Sequence, residues 1–164
     1  VTHDQEEAMT VSTRIAVMDQ GVIRQIATPT ALYEQPNSRY VADFIGDVNL
    51  IQGTWIDGSV VWSHDQAPFD ADGTAGQGET VWLSLRPEKI GISKTQPNAA
   101  NAVPGTVIDI AYLGNLSTYI VEIPGGQKIK AQAANARRVA HRYITWNDTV
   151  WLSWSKTAGV VLTK

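Results

Sequence analysis

Gly105-Thr106-Val107-Ile108-Asp109-Ile110-Ala111-Tyr112 and Ser117-Thr118-Tyr119-Ile120-Val121-Glu122-Ile123 decide the fold class. Val, Ile, Thr and Tyr dominate both runs and often alternate with polar residues, as strands with one buried face do. Gly114-Asn115 between them is a turn signal, and Pro124-Gly125-Gly126 turns the chain into a third run at 127–132. Similar runs stand at 49–55, 59–63, 80–85, 149–154 and 159–163, with Asp57-Gly58 and Asp72-Gly73 as further turns. Many short strands joined by Gly-rich turns predict a mainly β chain, a small barrel or sandwich. Residues 66–78 and 95–102 are expected to be flexible loops. No strict internal repeat is evident, and two OB-like halves sharing one sheet stay open.

Residues 1–46 have a different character. Asp4 and Glu7 have capping-box spacing and open a helix of about two turns through Thr10. Ile15-Ala16-Val17-Met18 suits a short buried strand, Asp19-Gln20-Gly21 a turn, and 22–26 a returning strand. Thr28-Pro29 reads as a cap with proline at the first helical position. A further helix, capped by Asn37 or Ser38, carries Tyr40, Val41, Phe44 and Ile45 at helical spacing and stops at Gly46.

Composition bounds the function. At 164 residues with 43% hydrophobic content, the chain can bury a core without staples. It has no cysteine, which rules out disulfides and thiolate metal sites. No apolar run reaches the roughly 20 residues of a membrane span. The net charge of −3 argues against nucleic acid as a partner. Charge is uneven: six acids face three bases in 1–46, and ten face ten in 47–164. All six tryptophans follow residue 54.

The opening run, Thr2-His3-Asp4-Gln5-Glu6-Glu7-Ala8-Met9, resembles the H-loop, or switch region, of ABC-transporter ATPase domains. The stretch from Arg14 to Pro36, then Val41, Phe44 and Gly46, is similar to the end of that domain in importer ATPases. Leu85-Arg86-Pro87-Glu88-Lys89-Ile90 and the run from Gly105 to Gly114 look like their C-terminal accessory TOBE domain, which is OB-like and all-β. Ile110-Ala111-Tyr112-Leu113-Gly114-Asn115-Leu116-Ser117 and the ending from Val150 to Thr163 look most like the subunit of putrescine or spermidine importers. The resemblance implies two parts: 1–46, an α/β remnant of the ATPase domain, and 47–164, the TOBE domain. It implies that His3 is the switch residue, catalytic and cofactor-binding, whose ring N–H senses the γ-phosphate of ATP.

Val1 is not expected to be a natural start, and the function is expected to belong to a longer parent. The sequence holds no G-x-x-x-x-G-K-[ST] loop, no L-S-G-G-Q signature and no strand ending in Asp-Glu. ATP and Mg²⁺ are therefore expected in the parent, and no cofactor, metal or ATPase activity in this chain alone. The implied partners are a second copy of the subunit, transmembrane permease subunits and, indirectly, a solute-binding protein. The implied location is the cytoplasmic side of the bacterial inner membrane. The alternatives are a subunit serving iron, sulfate or sugar, or a stand-alone OB-like module for a small ligand or oxyanion.

Other candidates have plainer accounts. Glu6 and Glu7 diverge by about 100° on a helix and suit its N-terminal dipole better than a catalytic pair. Arg86-Pro87-Glu88 could bind substrate, but reads better as a proline turn with a local Arg–Glu pair. Arg137, Arg138, His141 and Arg142 form a basic cluster, read as a solvated face. Tyr143, Trp146, Trp151 and Trp154 could cage an ammonium group. Trp151 and Trp154 point to opposite faces of a regular strand, which favours core or interface packing. Ile15, Val17, Val22, Ile26 and Phe44 must pack on the β part, pair with another copy, or stay mobile; exchange between copies or weak hydrogen-exchange protection before Asn37 is expected.

Overall fold

The computed structural model describes residues 1–135 and 143–164. Three short helices and a hairpin come first. Helix α1 (Gln5–Val11) is capped by Asp4, whose carboxylate accepts from the Glu7 N–H at 3.0 Å. Strands β1 (Ile15–Asp19) and β2 (Val22–Ala27) pair antiparallel. Gln20 and Gly21 turn between them at φ of 50° and 77°, the left-handed region that two-residue hairpin turns require. Helix α2 (Pro29–Glu34) is capped by Thr28, with Pro29 in its first turn. Helix α3 (Arg39–Ile45) takes its cap from Ser38, whose hydroxyl accepts from the Val41 N–H. Val17, Leu32 and Val41 form a small buried cluster with Ile15, Ala27 and Ile45 against it. Val22, Ile26 and Phe44 remain exposed.

Ten strands follow: β3 (Asn49–Ile56), β4 (Ser59–Val61), β5 (Phe69–Asp70), β6 (Thr80–Leu85), β7 (Gly91–Ser93), β8 (Asn101–Tyr112), β9 (Leu116–Glu122), β10 (Lys128–Ala134), β11 (Thr149–Trp154) and β12 (Val160–Leu162). They make two antiparallel five-stranded sheets, ordered β12-β6-β3-β4-β5 and β7-β11-β8-β9-β10. The expected loop at 66–78 contains β5, and the expected loop at 95–102 ends inside β8. Pro104 obscured the start of β8. It is tolerated because β9 joins only at Thr106, leaving one side of β8 without a β9 partner before it.

The two sheet orders are the same list written twice. Strands β3 to β7 repeat as β8 to β12, and the last strand of each set is exchanged: β7 pairs with β11, and β12 with β6. Registers of β3 with β6 and of β8 with β11 agree residue for residue. Thr54 faces Thr80 as Thr106 faces Thr149, and Asn49 faces Leu85 as Asn101 faces Trp154. The repeat is therefore real, contrary to its apparent absence from the sequence. Its traces are Asn49-x-Ile51-x-Gly53-Thr54 against Asn101-x-Val103-x-Gly105-Thr106, and Thr80-Val81-Trp82-Leu83-Ser84 against Thr149-Val150-Trp151-Leu152-Ser153. Insertions of unequal length between these pieces conceal it. Both glycines are fixed by close approach. A Cβ on Gly53 would lie 2.6 Å from Val60 Cγ1, and one on Gly105 would lie 2.5 Å from Val121 Cγ1.

One core fills the space between the sheets. Val81, Leu83 and Leu85 of β6 and Val150, Leu152 and Trp154 of β11 all lie within it. Trp154 meets Phe69 edge-on at 4.7 Å, and Phe69 stacks on Trp62 at 4.8 Å. Trp154 is thus a core residue, while Tyr143 and Trp146 are exposed. No helix among the described residues is long and apolar enough to cross a membrane.

The sheets are joined where an edge strand of one meets a central strand of the other. No strand ladder runs across these seams, and buried side-chain amides take its place. Asn49 accepts from the Lys130 N–H at 2.9 Å and donates to the Lys130 carbonyl at 2.9 Å. Asn101 accepts from the Asp70 N–H at 2.7 Å and donates to the Asp70 carbonyl at 2.9 Å. Each amide imitates one residue of an antiparallel partner. The two stand at equivalent positions of the repeat. Replacing either by alanine leaves a buried donor and acceptor unmet, at about 1–3 kcal/mol per group. Asn49→Ala and Asn101→Ala should each lower stability by about 2–6 kcal/mol, to a similar extent. Urea unfolding followed by tryptophan fluorescence checks this, and a loss within error of zero in either variant contradicts it.

Candidate functional site

His3 lies one residue ahead of the α1 cap. Its side chain is exposed, in a short turn where the Asp4 N–H donates to Thr2 Oγ1 at 2.9 Å. Asp4, Glu6 and Glu7 complement the positive end of the helix dipole. Helix α1 has no buried residue and leans on α2. An exposed imidazole in this position can offer a ring N–H to a phosphate oxygen that arrives from outside. Nothing else in the described structure converges on it. A shallow groove lined by Asp19, Arg24, Asn37, Ser38, Arg39 and Lys164 does not include His3. In that groove Arg24 pairs with Asp19 at 3.0 Å, and the Arg39 guanidinium lies 3.6 Å from the Trp82 ring centre.

The Arg86-Pro87-Glu88 turn is built differently from its expected form. Arg86 is only 4% exposed and makes no local pair with Glu88. Its Nη1 donates to the carbonyls of Ala42 (2.9 Å), Gly46 (2.9 Å) and Asp47 (3.0 Å), and its Nη2 to that of Tyr33 (3.4 Å). Glu88 instead accepts from the Tyr33 hydroxyl, and Lys89 pairs with Glu34. The turn is a joint between the helices and the β sheets. Sequence reasoning missed it because Arg86 follows a strand whose inward residues are all apolar. The repeat held the signal: Thr-Val-Trp-Leu-Ser is followed by Leu85-Arg86 in one copy and Trp154-Ser155 in the other. An arginine in one copy alone serves something outside the sheets.

The remaining candidates do not assemble into a site. Trp151 and Trp154 point apart, as the alternation requires, and only Trp154 is in the core. Lys94 sits 4.8 Å from the Tyr143 ring centre, so that ring already faces a cation. The basic cluster of Arg137, Arg138, His141 and Arg142 lies outside the described residues.

A family model described as the TOBE domain matches residues 83–162. The putrescine transport ATP-binding protein PotG of Escherichia coli strain K12 is 45% identical over 171 residues, covering 99% of the chain and 45% of PotG. Residues 83–162 thus match the TOBE domain, and nearly the whole chain is similar to part of an ATP-binding protein of putrescine transport. The spermidine/putrescine import ATP-binding protein PotA of Protochlamydia amoebophila strain UWE25 is 37% identical, covering 99% of the chain and 46% of that protein. The chain thus spans about half the length of the curated relatives it matches. Among solved structures, the cytoplasmic molybdate-binding protein ModG aligns with a TM-score of 0.60 at 14% identity, covering 77% of this chain and 97% of that one. That likeness is one of fold and supports the OB-like description of the two sheets.

Tyr33 gives the joint a pH signature. Burial, then the hydrogen bond to Glu88 and its charge, push the Tyr33 hydroxyl from 10.0 up to about 12. The unfolded chain ionises this group near its ordinary value, so the folded state holds the proton longer. The stabilisation is complete below about pH 10 and is lost as pH rises through about 12. Tyr33→Phe should therefore lose less stability than the parent chain between pH 9 and pH 12. Urea midpoints at the two pH values check this, and parallel losses in both proteins contradict it.

Proposed function

We propose that this chain is the switch-histidine and TOBE portion of the ATP-binding subunit of a polyamine importer. The observation that carries the reading is 45% identity, over 99% of the chain, to a putrescine transport ATP-binding protein. Residues 1–46 belong on this reading to the ATPase domain, and 47–164 to the OB-like TOBE domain. The separate buried clusters on the two sides support that division. Putrescine or spermidine as solute rests on the names of the relatives, since no polyamine-binding constellation was identified among the described residues.

ATP with Mg²⁺ supplies the phosphoanhydride whose hydrolysis drives transport. His3 would hold the terminal phosphate by its ring N–H while the phosphoanhydride is intact and would lose that contact after hydrolysis. Asp4 and the first turn of α1 fix the backbone that carries His3. Two such subunits close on each other and reopen, moving permease subunits that receive solute from a binding protein outside. The subunit works at the cytoplasmic face of the inner membrane. The stand-alone binding-module reading leaves residues 1–46 without a role.

Two measurements test this. The coding sequence ahead of Val1 should continue in frame into a phosphate loop, a signature motif and a strand ending in Asp-Glu. A start codon directly at Val1 overturns the reading. In the protein so completed, His3→Ala should lower ATP turnover by about 100-fold or more, the scale of losing an electrostatic transition-state contact. The 164-residue chain itself should release no phosphate above its own His3→Ala control. Release above that control contradicts the assignment of nucleotide chemistry to the parent.

A further inference from the structure

We propose that Arg86 and the Asn49 seam form a mechanical relay, which makes α2 and α3 follow movement between the two sheets. The helices and the sheets do not share an apolar core: Val17, Leu32 and Val41 cluster apart from the large cluster between the sheets. Polar contacts therefore carry much of the joint. Arg86 lies at its centre and is the one buried charge there. Its four acceptors include carbonyls from both helices, Tyr33 in α2 and Ala42 in α3, and Gly46 and Asp47 just beyond α3. Carbonyls at helix ends lack intrahelical partners and carry the negative end of the dipole, so one guanidinium satisfies both helices at once. The Tyr33 ring lies 4.4 Å below it.

The same residue is tied to the seam. Asn49 donates to the carbonyl of Leu85, the residue before Arg86, at 3.1 Å, and to that of Lys130 on β10 at 2.9 Å. Lys130 also pairs with the carboxylate of Asp47, whose carbonyl is one of the Arg86 acceptors, at 3.6 Å. A shift of β10 against β3 thus moves Leu85 and Arg86, and the helix ends go with them. Strands do not need Arg86 for themselves. In the other copy of the repeat Ser155 takes its place, and its hydroxyl stays within the turn, 3.3 Å from Thr157 Oγ1. The relay thus exists in one half only, the half that meets the helices. It is independent of the role assigned to His3.

Residue-resolved hydrogen exchange on the full chain tests this. Arg86→Met keeps much of the volume and removes every donor. Amides of 31–46 should exchange about 100-fold faster, while those of β8 and β11 stay within about threefold of the parent chain. Arg86→Lys, with fewer donors on a narrower head, should give an intermediate acceleration confined to the same amides. Asn49→Ser should accelerate 31–46 together with the amides around Lys130. Unchanged exchange at 31–46 in Arg86→Met overturns the relay. So does equal acceleration in β8 and β11, or failure of either Arg86 variant to fold, because the sheets would then depend on Arg86 directly. Acceleration confined to Lys130 in Asn49→Ser removes the seam from the relay and overturns the proposal in that form.

Discussion

Two five-stranded sheets that face each other must close their edges without a continuous ladder, and everything else follows from how this is done. Asn49 and Asn101 each present a carboxamide that matches the N–H and carbonyl of a single opposing residue. A buried edge strand with unmet backbone groups is costly, and each amide removes that cost at one point. The contact is local, so a seam can shift without unzipping a strand pair. Gln127 adds a second tie on one seam by donating to the Leu50 carbonyl at 2.9 Å. The core then only has to be apolar and continuous, and alternation in β6 and β11 supplies that from both copies of the repeat.

The buried cation at Arg86 answers a different need. Helices as short as α2 and α3 are marginal by themselves. Their cluster of Val17, Leu32 and Val41 is small. A guanidinium that reaches carbonyls of both helices supplies directional bonds where apolar area is scarce. Burial pulls this group below its ordinary value, yet it has ample reserve to stay charged near neutrality. Placing the cation beside the sheets and the acceptors on the helices makes each side incomplete without the other.

Much of the architecture was legible in the sequence. Caps at Asp4, Thr28 and Ser38, the hairpin turn at Gln20-Gly21, and most strands read directly from propensity, alternation and turn chemistry. These are local signals, and local physics decided them. The repeat was not legible, because its two traces are short and the intervening lengths differ between copies. β5 was missed since Phe69-Asp70 sits among Pro, Gly and Asp residues, and its pairing is imposed by β4 and Asn101. His3 precedes the capped helix α1, as the Asp4–Glu7 spacing implies, and its side chain is exposed. Arg86 was misjudged because a chain position shows only neighbours in sequence, whereas its acceptors lie some forty to fifty residues away.

The exchanged last strands carry a consequence for the order in which the molecule can be assembled on the ribosome. β6 is flanked by β3 and β12, and β12 is synthesised after every other strand of the two sheets. Until it emerges, one edge of the first sheet stays open, exposing apolar residues and unpaired backbone to other chains. β7, made early, has no partner until β11 appears. Each half thus waits for the other, and neither can complete its sheet as an independent unit. Such long-range closure makes folding slow relative to local helix formation. The joint at Arg86, which follows β6, can lock only after the sheets behind it have closed.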